Sequence, residues 1–136
     1  MIVIKRTPAD EQALAGSPPV DLTDDGKKWL EVKVKKPWGY EIEKYRDQHC
    51  SLTVLCVEAS QATSMHCHVN KTSHLYIIKG YGFLNTLDGT KRINAGDVVV
   101  IEKGTFHQIA GGEGLKLYEL ETPANKNDLV RLADRY

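Results

Sequence analysis

The chain has 136 residues, 18 Lys and Arg against 18 Asp and Glu, and a formal net charge of zero. That length suits one domain with its own core, and 41% hydrophobic with 26% charged residues excludes a chain disordered throughout. The charge balance removes any global pull towards nucleic acid or an anionic membrane surface. Apolar runs such as Val98–Ile101 fall far short of the ~20 residues of a membrane-spanning helix. The first residues lack the ~7–15 apolar positions of a signal peptide, so the expectation is a cytoplasmic protein with neither a nucleic-acid nor a membrane partner. Cys50, Cys56 and Cys67 are odd in number and form no C-x-x-C pair, so they read as reduced thiols in or near the core.

Residues 1–28 read as an N-terminal arm. Pro8, Pro18 and Pro19 interrupt it, and no apolar period is sustained. A short strand is expected at Ile2–Ile4, in a segment that is either a loose terminus or a strand shared with a neighbouring subunit.

From residue 29 to 136 the pattern is β. Leu30, Val32 and Val34 alternate with Glu31, Lys33 and Lys35, as in a half-buried strand. Further strands are expected at Tyr40–Tyr45, Ser51–Glu58, His74–Lys79, Tyr81–Leu87, Val98–Glu102, Phe106–Ala110 and Leu115–Glu121. Asp88-Gly89 is a hairpin signal, and Asn94–Asp97 and Gly111–Gly114 read as further turns. Short strands with turns every ~8–12 residues predict an all-β sandwich or barrel. A short C-terminal helix is expected, capped by Asn127 or Asp128, with Leu129, Val130 and Leu132 on its apolar side.

The chemistry lies in the histidines. In His66-Cys67-His68, an extended backbone places both imidazoles on one face, ~6–7 Å apart at Cα. Two such rings can converge on one ion with bonds near ~2.0–2.1 Å. By itself H-x-H is a weak motif, and two partly exposed strand histidines are its simpler reading.

Its surroundings resemble the two motifs of the cupin superfamily. His66, His68 and Gly80 fit the first motif, G-x5-H-x-H-x3–4-E-x6-G. Gly96, Gly104 and His107 fit the second, G-x5-P-x-G-x2-H-x3-N. The resemblance implies a single-domain jelly-roll barrel in which His107 joins His66 and His68 around one divalent metal ion: Zn, Mn, Fe, Ni or Co. The motif glutamate is Ser73 here, the proline is Glu102 and the asparagine is Gly111. Water or Ser73 would then complete the coordination. His74, the next residue, points the other way in a regular strand and is a further candidate ligand.

Residues 34–136 also resemble the cupin domain of type II mannose-6-phosphate isomerases, which in bacteria often follows a mannose-1-phosphate guanylyltransferase domain. The residues that carry this are Lys36-Pro37-Trp38-Gly39-Tyr40 and the tail Asp128–Tyr136. The resemblance implies a sugar or sugar-phosphate ligand, aldose–ketose isomerisation and a homodimer. Two family positions differ: Ser64 stands for a glutamine and Gln108 for an arginine. With Ser73 in place of the glutamate, Glu119 on the last barrel strand becomes the candidate catalytic base or fourth ligand. Trp38, Lys71 and Arg92 are candidate substrate contacts, with Lys44 a further cation. The alternatives are a non-catalytic cupin that binds a sugar or other small molecule, and a three-histidine iron protein of the dioxygenase type.

Overall fold

A computed structural model describes residues 1–20, 22, 31–125 and 127–132. Among these are ten strands and one helix. The strands are β1 (Ile2–Ile4), β2 (Lys33–Lys36), β3 (Gly39–Arg46), β4 (Ser51–Val57), β5 (His66–Cys67), β6 (Thr72–Thr86), β7 (Gly89–Asn94), β8 (Val98–Ile101), β9 (His107–Thr122) and β10 (Val130–Arg131). The sheet order is β1-β8-β6-β9-β4-β3-β2, with β7 on β6 and with β5 bridging β9 and β10. No described helix is long and apolar enough to cross a membrane.

Two long antiparallel strands organise the barrel. β6 and β9 pair from Thr72↔Thr122 to Thr86↔His107, with register shifts at Ile77/Lys79 and Gly80/Gly82. The sequence suggested two short strands in place of each. Gly80 divides the first pair, yet the strand bends there and continues. Its φ is +80°, and a Cβ on it would lie 2.0 Å from the carbonyl oxygen of Gly114, so only glycine permits the bend. The turn expected at Gly111–Gly114 lies inside β9, beside the register shift at Gly80/Gly82, with Gly114 at φ +106°. The Asp88-Gly89 hairpin is formed, with Thr86 opposite Gly89.

Inward residues of both long strands meet those of β4 and β8 in one core. Leu55, Val57, Leu75, Ile77, Leu84, Ile101, Ile109 and Leu117 are among its buried members. A second cluster of Met65, Cys67, Phe106 and Val130 closes one end, with Ala13 and Leu14 packed against it.

Within the expected arm, β1 pairs in parallel with β8 of its own chain, Ile2 opposite Val99. Helix α1 (Pro8–Ala15) follows. Thr7 and Asp10 form a reciprocal capping box there, and Pro8 opens the first turn. Proline suits that position, because its missing N–H is not needed and its φ is already helical. Leu30 and most of the segment before it lie outside the described residues.

The C-terminal helix is not formed over the described residues 127–132. Val130–Arg131 is strand β10, paired with Cys67 and His66. Asp128 does not cap a helix. Its side chain accepts hydrogen bonds from the backbone N–H groups of Val69 and Asn70, both at 2.8 Å.

Candidate metal centre

The H-x-H segment is β5, held between the start of β9 and the C-terminal β10. His66 lies opposite His107 on one side and Arg131 on the other. Alternation sends His66 and His68 to the barrel lumen and Cys67, fully buried, into the end cluster. Burial there pushes the Cys67 thiol up to about 12, so it is an inert packing group. His107 opens β9 and is 1% exposed. Its ring centroid lies 4.6 Å from that of His66 and 5.5 Å from that of His68, and the latter two are 5.1 Å apart. One ligand nitrogen from each of the three lies within 4.8 Å of the others.

Each imidazole is oriented through Nδ1. In His66 it contacts the Ser64 carbonyl at 2.9 Å, in His68 the Asp128 carbonyl at 2.7 Å, and in His107 the Thr105 carbonyl at 2.9 Å. A carbonyl only accepts, so Nδ1 carries the proton and Nε2 presents a lone pair. The buried Nε2 atoms of His68 and His107 have no hydrogen-bond partner. Orphaned nitrogens of this kind are rare in a core, and they are what a metal ligand requires. Burial pushes all three imidazoles below their ordinary range. The neighbouring rings add to this at His66, and the Lys71 charge adds to it at His68. The donor set therefore fits a divalent ion.

A cavity of about 590 Å³ opens beside the triad. Trp38, Thr53, Thr63, Ser64, His66, His68, Glu119 and Glu121 line it, together with the cations Lys36, Lys71 and Arg131. Glu119 thus faces inward, as a catalytic or ligating role requires. Trp38 is 8% exposed and forms part of the wall. Lys71 is buried, and its Nζ donates to Glu121 Oε1 at 3.1 Å and to the Asn125 carbonyl at 2.9 Å.

Four candidates lie outside the histidine cluster. Ser73 Oγ donates to Glu121 Oε2 at 3.3 Å. His74, on the opposite face of β6, pairs with Val100 and Leu120. Arg92 is exposed on β7, 4.0 Å above the Tyr81 ring and bonded to Asn94; it belongs to the outer surface and does not line the cavity. Lys44 is likewise at the surface, 3.7 Å from Glu31.

Glu121 and Asp128 were missed as site residues. Glu121 is 8% exposed, with Oε2 3.1 Å from His68 Nε2. The alternation Glu119-x-Glu121 is visible in the sequence, but its relation to His68 depends on the register of β9 against β6. Asp128 was legible as a helix cap and as the first residue of the family-like tail.

No protein-family model matches the chain. Among curated proteins it is 25% identical over 137 residues to a mannose-1-phosphate guanylyltransferase of Sinorhizobium fredii, spanning 97% of this chain and 24% of that protein. The chain therefore spans about a quarter of the length of the curated relative it matches. A cupin-like protein of Thermotoga maritima superimposes with a TM-score of 0.63 at 19% identity, covering 68% of this chain and 74% of that one. A candidate sugar phosphate isomerase of Acidithiobacillus ferrooxidans does so with a TM-score of 0.55 at 20% identity, covering 64% and 62%. The fold is that of the cupins, all-β barrels of the double-stranded β-helix type. Within it this chain carries a cluster of three histidines suited to a metal ion.

Proposed function

We propose that this cupin binds one divalent ion through His66, His68 and His107, takes a sugar or sugar phosphate into the adjoining cavity, and moves its carbonyl group between neighbouring carbons. The observation that carries this reading is that His66 and His68 of the three-histidine cluster line the same cavity as Glu119. A bound divalent ion would supply Lewis acidity, polarising a carbonyl or hydroxyl oxygen of the open-chain sugar.

The chain's own residues account for the remaining requirements. Glu119 takes a proton from the carbon beside the carbonyl and returns it to the former carbonyl carbon, while the hydroxyl proton passes from one oxygen to the other, the work of a general base within reach of its substrate. Thr53 lines the wall with a hydroxyl group suited to a hydroxyl-rich ligand, whereas the hydroxyls of Thr63 and Ser64 are held by Ile109 and Arg131. Trp38 gives a flat apolar surface for the sugar's C–H face. Lys36 and Arg131, at the same cavity, are suited to a phosphate; Lys71 is engaged with Glu121. The similarity to a mannose-1-phosphate guanylyltransferase supports a sugar-phosphate ligand.

The test is solvent exchange. Protein loaded in turn with Zn, Mn, Fe, Ni or Co is incubated in D2O with hexoses and hexose phosphates, and deuterium next to the carbonyl is followed by NMR. The expected result is exchange with at least one substrate, lowered by ~100-fold or more in Glu119→Gln. Sugar binding without exchange would leave a binding module, and neither binding nor exchange would overturn the reading.

A further inference from the structure

We propose that Glu121 is the carboxylate ligand of the metal centre, supplied from β9 in place of the glutamate that the cupin pattern carries at position 73 on β6. This rests on the three-histidine centre proposed above. Three observations support it.

Ser73 and Glu121 are register partners across β6 and β9, so their side chains leave the sheet on the same face. A carboxylate from position 121 therefore reaches the region that one from position 73 would reach. Ser73 is short enough to leave that room, and its hydroxyl donates to Glu121 Oε2.

Glu121 Oε2 and His68 Nε2 are 3.1 Å apart, yet Nε2 has no aligned hydrogen bond. The proton of His68 is on Nδ1, directed at the Asp128 carbonyl. Two lone-pair atoms thus face one another at close range, which is repulsive on its own. Ligand atoms bonded to one ion at ~2.0–2.2 Å sit roughly 3.0–3.5 Å apart, and this pair has that spacing.

The other oxygen, Oε1, is held by Lys71, which is itself anchored on the Asn125 carbonyl. A lysine counterion alone would explain Oε1 but not the approach of Oε2 to His68. Lys71 is better read as a positioning residue that turns Oε2 towards His68, at the edge of the histidine cluster. With Glu121 bound, the ion would carry three neutral ligands and one anionic ligand, lowering the site's net charge from +2 to +1.

The test is Co(II) binding to the metal-free full chain, by chelator competition and by the visible spectrum of the bound ion. Glu121→Gln should weaken binding by ~100-fold or more, beyond most losses of an outer hydrogen-bonding partner, and should change the spectrum. The exchanged pair Ser73→Glu with Glu121→Ser should recover affinity to within ~10-fold of wild type, with the wild-type spectrum. If Glu121→Gln does not fold, the exchanged pair decides alone: a wild-type spectrum supports the proposal, and failure to bind overturns it. Unchanged affinity and spectrum in Glu121→Gln would make Glu121 only the counterion of Lys71, leaving the three-histidine centre intact. A wild type that binds no Co(II) would remove both.

Discussion

His68 and Asp128 lie 60 residues apart in the chain, and Nδ1 of His68 donates to the main-chain carbonyl of Asp128 at 2.7 Å. The same aspartate's carboxylate accepts the N–H groups of Val69 and Asn70. One residue of the C-terminal segment thereby orients a ligand ring and anchors the loop behind it.

Asp128→Ala is expected to leave two backbone N–H groups without their carboxylate and to loosen His68. The expected cost is about 2 kcal/mol in stability and ~10–100-fold in metal affinity. Thermal unfolding and metal titration of the variant check both figures. Asp128→Asn, which keeps one acceptor oxygen, should fall between the variant and wild type.

Asp10 ties the N-terminal helix to the centre. Its Oδ1 accepts from the N–H of Phe106, the residue before His107, and its Oδ2 accepts from the N–H of Thr7. Asp10→Ala should cost about 2 kcal/mol, from one lost cap and one buried N–H left without a partner. Urea unfolding measures it, and a cost under about 0.5 kcal/mol would mean that the helix is dispensable to the barrel.

Arg46 and Glu43 form a buried two-bond pair, with contacts of 3.0 and 2.7 Å. Glu43→Ala removes both of these bonds from a largely buried guanidinium and should destabilise the protein by about 1.5–3 kcal/mol. Replacing both partners by apolar residues of similar volume should recover much of that loss. A double-mutant cycle on unfolding free energies reads the difference.

Burial holds the three site imidazoles below their ordinary value of 6.5. In the metal-free protein their contribution is therefore present above pH 6.5. It is lost as pH falls below 6.5, where the unfolded chain takes up protons that the folded chain resists. Metal-free protein should lose stability from pH 7 to pH 5 more steeply than a variant with His66 and His107 replaced by Gln. Bound metal should be released over the same acidic range, since protons compete for the same nitrogens.

The β architecture was readable because it rests on local signals: alternation placed the strands, and H-x-H put two histidines on one face. That His107 joins them came from the resemblance to the cupin motifs. What escaped depends on contacts between distant segments. Ser73 opposite Glu121 follows from the β6–β9 register, which no local pattern specifies. The segment containing Val130 and Arg131 has an apolar side that suits a helix, yet pairing with β5 makes it a strand, a case of tertiary contacts overriding propensity. Pro8 looked like a break and is the first turn of α1. Arg92 was chosen for its charge alone, and nothing in the sequence showed that β7 turns it outward.

The most direct test of the central claim is elemental analysis of the purified wild-type protein beside a His66→Ala/His107→Ala double variant, both also offered Zn, Mn, Fe, Ni and Co. Near-stoichiometric metal is expected in the wild type, and its loss in the variant. A wild type that neither carries nor takes up any of these ions would contradict the claim.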